Sequence, residues 1–137
     1  MRTIVVGFDD TEPARRALER AAELAEALGG RLVVTSVAPL IMTSPRSVGP
    51  HDPVDPPEEH RRQLDDARAL LAERSVEAEF VPADGEPADT IILLADERDA
   101  DLIVVGTREP GVLERLLGQS VSAAVARKAD RDVLIVH

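Results

Sequence analysis

TIVVGFDDTEPARRALERAAELAEAL, residues 3–28, carries a complete strand-to-helix unit. Thr3 to Phe8 is a short apolar run rich in β-branched residues, which suits a strand buried on both faces. Asp9, Asp10 and Thr11 follow, and each has an oxygen able to accept from the unpaired N–H groups of a helix's first turn. Pro13 is tolerated there, because its missing N–H would have had no partner anyway. Ala14, Ala17, Leu18, Ala21, Leu24, Ala25 and Leu28 then recur at helical spacing, and Gly29-Gly30 stops the helix. A strand apolar on both faces needs a covering layer on each side of its sheet, so further helices are required.

The rest of the chain repeats the unit. RLVVTSVAP (Arg31 to Pro39) reads as a second strand and VEAEFVPAD (Val76 to Asp84) as a third. Between them, Glu58 to Arg74 is helical, with Leu64, Ala67, Leu70 and Leu71 on one side. Gly85 to Pro87 opens a helix that runs through about Arg98. Asp101 to Thr107 is a fourth strand, a helix runs from about Ser120 to Lys128, and Asp132 to His137 is the last strand. Leu40 to Pro57 breaks the rhythm: its five prolines, set among Ser, Gly and Asp, predict a long surface loop. Strands and helices in alternation predict an α/β fold with a parallel sheet between two helical layers, in one domain spanning residues 1–137.

Composition removes several function classes. There are no cysteines, hence no disulfides, zinc–thiolate sites or thiol nucleophiles. The net charge of −10 opposes a broad electrostatic hold on DNA, RNA or anionic lipid. Phe8 and Phe80 are the only aromatic residues, too few for a base-stacking surface. No apolar run approaches the roughly 18 to 20 residues of a membrane span. The opening MRTIVVGFDD turns acidic too soon for a signal peptide, so the cytoplasm is the expected location. Lys128 is the only lysine, and the acidic, lysine-poor composition suits either high salt or a GC-rich genome.

The stretch after the fourth strand, GTREPGVLERLLGQS (Gly106 to Ser120), invites comparison with phosphate-binding loops. Gly106 and Gly111 have P-loop spacing, but Val112 and Leu113 stand where Lys and Ser or Thr would be needed. The first strand is not followed by G-x-G-x-x-G, which excludes a dinucleotide fingerprint. His51, His60 and His137 have no further ligands at metal-site spacing, and no Ser-His-Asp or paired-carboxylate arrangement is legible.

Four segments, IVVGFDDTEPARRAL, GEPADTII, ADLIVVGT and LLGQSVSAAVARKADRDVLIVH, together resemble the universal stress protein family, within the adenine-nucleotide α-hydrolase-like group. The resemblance covers nearly the whole chain. It implies a Rossmann-like sheet of order 3-2-1-4-5 and a homodimer, here joined through the last strand. Members that bind ATP, with magnesium, carry G-x2-G-x9-G-[S/T] after the fourth strand. Here Gly106 matches the first glycine, Glu109 and Gln119 replace the next two, and Ser120 matches the hydroxyl. A shift of one residue would bring Gly118 into the third place. The site that the resemblance implies comprises Asp9 toward adenine and ribose, Val37 against adenine, and Gly106, Arg108, Gly118, Gln119 and Ser120 toward the phosphates. Several have a structural alternative: a helix cap for Asp9 and Ser120, core for Val37, a pair with Glu109 for Arg108, while Gly106 serves the backbone conformation in either case. Two functions follow, a stress-response module with a weakened ATP site or a nucleotide-free dimer acting through protein contacts. A slow ATPase fits less well, for want of a catalytic lysine or a convincing general base.

Overall fold

The computed structural model describes residues 2–37, 56–107 and 121–137. Its elements are β1 (Thr3–Phe8), α1 (Glu12–Leu28), β2 (Arg31–Val37), α2 (Pro56–Leu70), β3 (Glu77–Ala83), α3 (Pro87–Glu97), β4 (Leu102–Gly106), α4 (Val121–Lys128) and β5 (Asp132–Val136). The strands form one five-stranded sheet in the order β3-β2-β1-β4-β5, and every neighbouring pair is parallel. The expected fold class and strand order are both found.

Alternation along each strand sorts the core into two layers. Ile4, Val6 and Phe8 of β1, with Leu32 and Val34 of β2, face α1 and α2. Val5, Val33, Ile103 and Val105 face α3 and α4. The three β1 residues of the first group and Val5 have no exposed surface, and burying each such side chain contributes roughly 1.5–3 kcal/mol before entropy is counted. β1 is therefore the axis of the fold: Thr3–Phe8 pair with β2 along their whole length, and Ile4, Val5 and Val6 pair with β4 on the other side.

Local chemistry sets the boundaries. Gly29 ends α1 in the left-handed conformation (φ 74°), and Gly30 N–H donates to Ala25 O at 2.9 Å. α3 opens at Gly-Glu-Pro as expected, and the Glu86 side chain caps it by accepting from Asp89 N–H at 2.9 Å. α2 differs from expectation at both ends. It begins at Pro56, two residues earlier than read, because proline suits a first turn as well as a loop. It ends at Leu70, since the chain tightens into three-residue turns, with Ala72 N–H on Ala69 O and Arg74 N–H on Leu71 O. Residues 40–55 of the expected loop, and residues 38 and 39 of the expected second strand, lie outside the described residues.

The amino end of the sheet is pinned by Asp101. Its Oδ2 accepts from Arg2 N–H at 2.7 Å and Thr3 N–H at 3.2 Å, and its own N–H donates to Thr3 O. Those two backbone donors hold the carboxyl below its ordinary value. At the sheet edge, Arg98 donates twice to Glu79, at 2.7 and 3.1 Å, and this lowers the Glu79 carboxyl's value.

Candidate ligand site at the carboxyl ends of the strands

β1 lies between β2 and β4, so the chain leaves β1 toward one side of the sheet and later returns on the other. Such a switch point opens a crevice between the carboxyl ends of the two central strands, the usual ligand position in open α/β sheets. Asp9 follows β1, Gly106 ends β4 and Val37 ends β2, so the topology gathers three expected site residues at one end of the sheet. Val37 is the last β2 partner of β3, opposite Ala83. Arg108, Gly118, Gln119 and Ser120 lie outside the described residues.

Asp9 does not cap α1. The cap is Thr11, with extended backbone (φ −81°, ψ 165°) and a hydroxyl that accepts from Ala14 N–H at 3.3 Å. Asp9 holds the cap in place: its Oδ1 accepts from Thr11 N–H at 3.2 Å and from the Thr11 hydroxyl at 2.7 Å. Both contacts use one oxygen and fix the carboxylate just past the carboxyl end of β1. Asp10, between them, adopts φ 68°, a conformation that aspartate tolerates better than most residues.

Asp10 turns away, to a charge cluster beside the crevice. Arg15 donates to its Oδ1 through Nη2 at 2.8 Å and Nε at 3.2 Å. Asp66, on α2, shares a hydrogen bond with Asp10, and this contact, followed by burial and the charge of Asp10, raises the Asp66 carboxyl's value. Arg15 and Arg62 pull it the other way. Nothing in the sequence pairs positions 10 and 66; only the packing of α2 against α1 brings them together.

Gly106 is demanded by packing. A Cβ there would stand 2.6 Å from the carbonyl carbon of Pro13 and 2.7 Å from Ala14 N, both backbone atoms. The first turn of α1 sits directly on the end of β4, and only a residue without a side chain lets it approach so closely. Beyond it, Thr107 N–H donates to Val136 O at 2.8 Å and extends the β4–β5 ladder. Thr35, in register with Gly7, went unremarked in the sequence; its hydroxyl is fully buried and lacks a partner among the described residues.

Among the described residues, no three or more His, Cys, Asp or Glu side chains are grouped to hold a metal ion, and no helix is long and apolar enough to cross a membrane.

A model of the universal stress protein family matches residues 1–137. The chain belongs to the universal stress protein family. Universal stress protein Rv1636 of Mycobacterium tuberculosis is 34% identical over 148 aligned residues, covering 99% of this chain and 96% of the relative. Stress response protein NhaX of Bacillus subtilis is 30% identical, covering 97% and 96%. Among solved structures, a universal stress protein in complex with cAMP superposes with a TM-score of 0.74 at 32% identity, covering 99% of this chain and 97% of the other. The Archaeoglobus fulgidus universal stress protein in complex with dAMP gives 0.72 at 27% identity, with 100% and 98% covered. Relatives of the same fold and length thus hold adenine nucleotides.

Proposed function

We propose that this universal stress protein binds an adenine nucleotide in the crevice between β1 and β4, and takes a monophosphate in preference to ATP. The observation that carries this reading is the fixed carboxylate of Asp9 at the switch point, in a fold whose relatives hold cAMP and dAMP. With Oδ1 engaged by Thr11, Oδ2 of Asp9 is the oxygen that would accept from a ribose hydroxyl. Val37 would pack on the adenine. Gly106, Arg108, Gly118, Gln119 and Ser120 would surround the phosphate, with backbone N–H groups, the Ser120 hydroxyl and the Arg108 guanidinium as its donors. Glu109 and Gln119 stand where the ATP-binding pattern has glycine, so two side chains and one negative charge would disfavour the outer phosphates of ATP. Magnesium would arrive bound to ATP phosphates, because the described residues supply no cluster of their own for it.

The test is calorimetry with AMP, cAMP and ATP on the wild type and on Asp9→Asn. Asparagine keeps an oxygen for Thr11 but loses the charge that strengthens a ribose contact. The expected result is saturable AMP or cAMP binding that weakens by about tenfold in Asp9→Asn. No binding of any of the three at millimolar concentration would end this reading.

We further propose a homodimer formed by antiparallel pairing of β5 with its copy. The support is the contrast between the two sheet edges. β3 is guarded by Glu77, Glu79 and Pro82, whereas β5 presents the partly buried Val133, Leu134 and Ile135 in succession.

A further inference from the structure

A groove of about 450 Å³ runs between α2 and the edge strand β3, on a different flank from the β1–β4 crevice. Its volume falls within the roughly 300–1,000 Å³ of small-molecule sites. Arg61, Leu64, Asp65 and Arg68 line it from one face of α2, at positions i, i+3, i+4 and i+7, and the Asp65 carboxylate is answered by Arg68. Phe80 and Pro82, alternate residues of β3, line it from below. Of the two aromatic residues in the chain, Phe8 is fully buried, but Phe80 keeps exposed surface here.

The two arginines differ in how firmly they are held. The Arg68 guanidinium lies over the Phe80 ring, 4.4 Å from its centroid, and donates to Asp65 at 3.2 Å. Arg61 sits 3.7 Å from Glu58 in an exposed pair, and such a pair holds its partners weakly. Along a helix, seven residues span about 10 Å, so Arg61 offers a guanidinium at one end of an apolar floor that reaches to Phe80 at the other. Pro82 removes a backbone donor from β3, which disfavours an added peptide strand and favours a small molecule. Asp84, just past the strand, brings a negative charge to the rim.

We infer that this groove is a second ligand site, for a small aromatic carboxylate. The acid meets Arg61, and the ring lies on Leu64, Pro82 and the edge of Phe80. The probe is 2-naphthoate, followed by its own fluorescence, since the chain has no Trp or Tyr to obscure it. We expect saturable binding that AMP does not displace. Arg61→Gln should weaken it by about fivefold or more, Phe80→Leu should weaken it, and Asp84→Asn should strengthen it by removing the like charge. Arg20→Gln, at an α1 arginine paired with Glu23, should change nothing. Arg61 and Asp84 are exposed, so their variants fold, and circular dichroism checks Phe80→Leu. The inference is overturned by absence of saturable binding, by displacement with AMP, by indifference to Arg61→Gln, or by weaker binding in Asp84→Asn. It does not rest on the nucleotide reading, and either can fail alone.

Discussion

At the scale of single residues, Gly106 and Asp66 separate what chemistry can be read from a sequence from what only packing reveals. A glycine after a buried strand was legible at position 106, with backbone conformation and a phosphate loop as its two readings, but the close neighbour that requires it was not. The purpose shown is room for Pro13 and Ala14, whose backbone would lie 2.6–2.7 Å from any Cβ. Gly106→Ala should therefore destabilise the protein by about 1–3 kcal/mol, the usual cost of overpacking, in the absence of any nucleotide. Thermal unfolding without ligand checks it, and an unchanged midpoint would return Gly106 to a purely ligand-directed role. Asp9 was legible as a helix-start oxygen, but the division of labour with Thr11 was not, because Asp9, Asp10 and Thr11 all carry capping oxygens. Asp66 was invisible, since its partner lies in another helix-bearing unit. Its raised value has a definite sign. The folded protein holds the proton more tightly than the unfolded chain, so stability falls as pH rises through the interval between the unfolded value and the folded one. Asp66→Asn should raise the unfolding midpoint near pH 7 and leave it almost unchanged near pH 3, below both values. An equal shift at both pH values would show that the effect is not the ionised Asp66 carboxylate beside Asp10.

Elements were legible wherever periodicity and punctuation agreed. The five strands and the α1 cap-to-glycine span came directly from apolar runs bounded by Asp, Thr, Gly and Pro. α2 was displaced because prolines mark both loops and helix starts, and the sequence at Pro56-Pro57 does not say which. The order of the strands was not legible from pattern at all; parallel pairing follows from burial on both faces, but 3-2-1-4-5 came from family resemblance. That order makes β3 and β5 the edges, and the edges differ in chemistry. With Glu77, Glu79 and Pro82, β3 carries the charges and proline that discourage strand addition. β5 carries none of these between Val133 and Val136. The wild type should therefore have twice the monomer mass by light scattering at micromolar concentration. Ile135→Lys, which puts a charge into the apolar run of β5 beside the α3–α4 layer, should shift it toward the monomer, with circular dichroism checking that the fold is kept. A wild-type monomer would reject pairing through β5, and so would a dimer indifferent to Ile135→Lys.

For the whole molecule, the proposed preference for a monophosphate is an expectation about charge. The net charge of −10 sets a negative field around a chain in which many arginines already answer carboxylates, such as Arg15 with Asp10, Arg74 with Glu26 and Arg98 with Glu79. An approaching nucleotide meets that field in proportion to its own charge, and ATP carries roughly twice the charge of AMP at neutral pH. The Debye length is about 10 Å at 0.1 M salt and about 3 Å at 1 M, so salt removes the long-range repulsion first and leaves short hydrogen bonds largely intact. If the field is what disfavours ATP, added salt should strengthen ATP binding, and strengthen it more than AMP binding. A site dominated by arginine-to-phosphate attraction gives the opposite slope, because screening weakens attraction too. Calorimetry at about 0.1 M and about 1 M salt, with magnesium omitted so that ATP keeps its full charge, distinguishes the two. The expected outcome is an AMP-to-ATP affinity ratio that narrows severalfold at high salt. Glu109→Gly with Gln119→Gly should narrow it further at either salt, by freeing backbone for the outer phosphates. ATP affinity that falls with salt more steeply than AMP affinity would mean that local cations, and not the acidity of the whole chain, govern the choice of nucleotide.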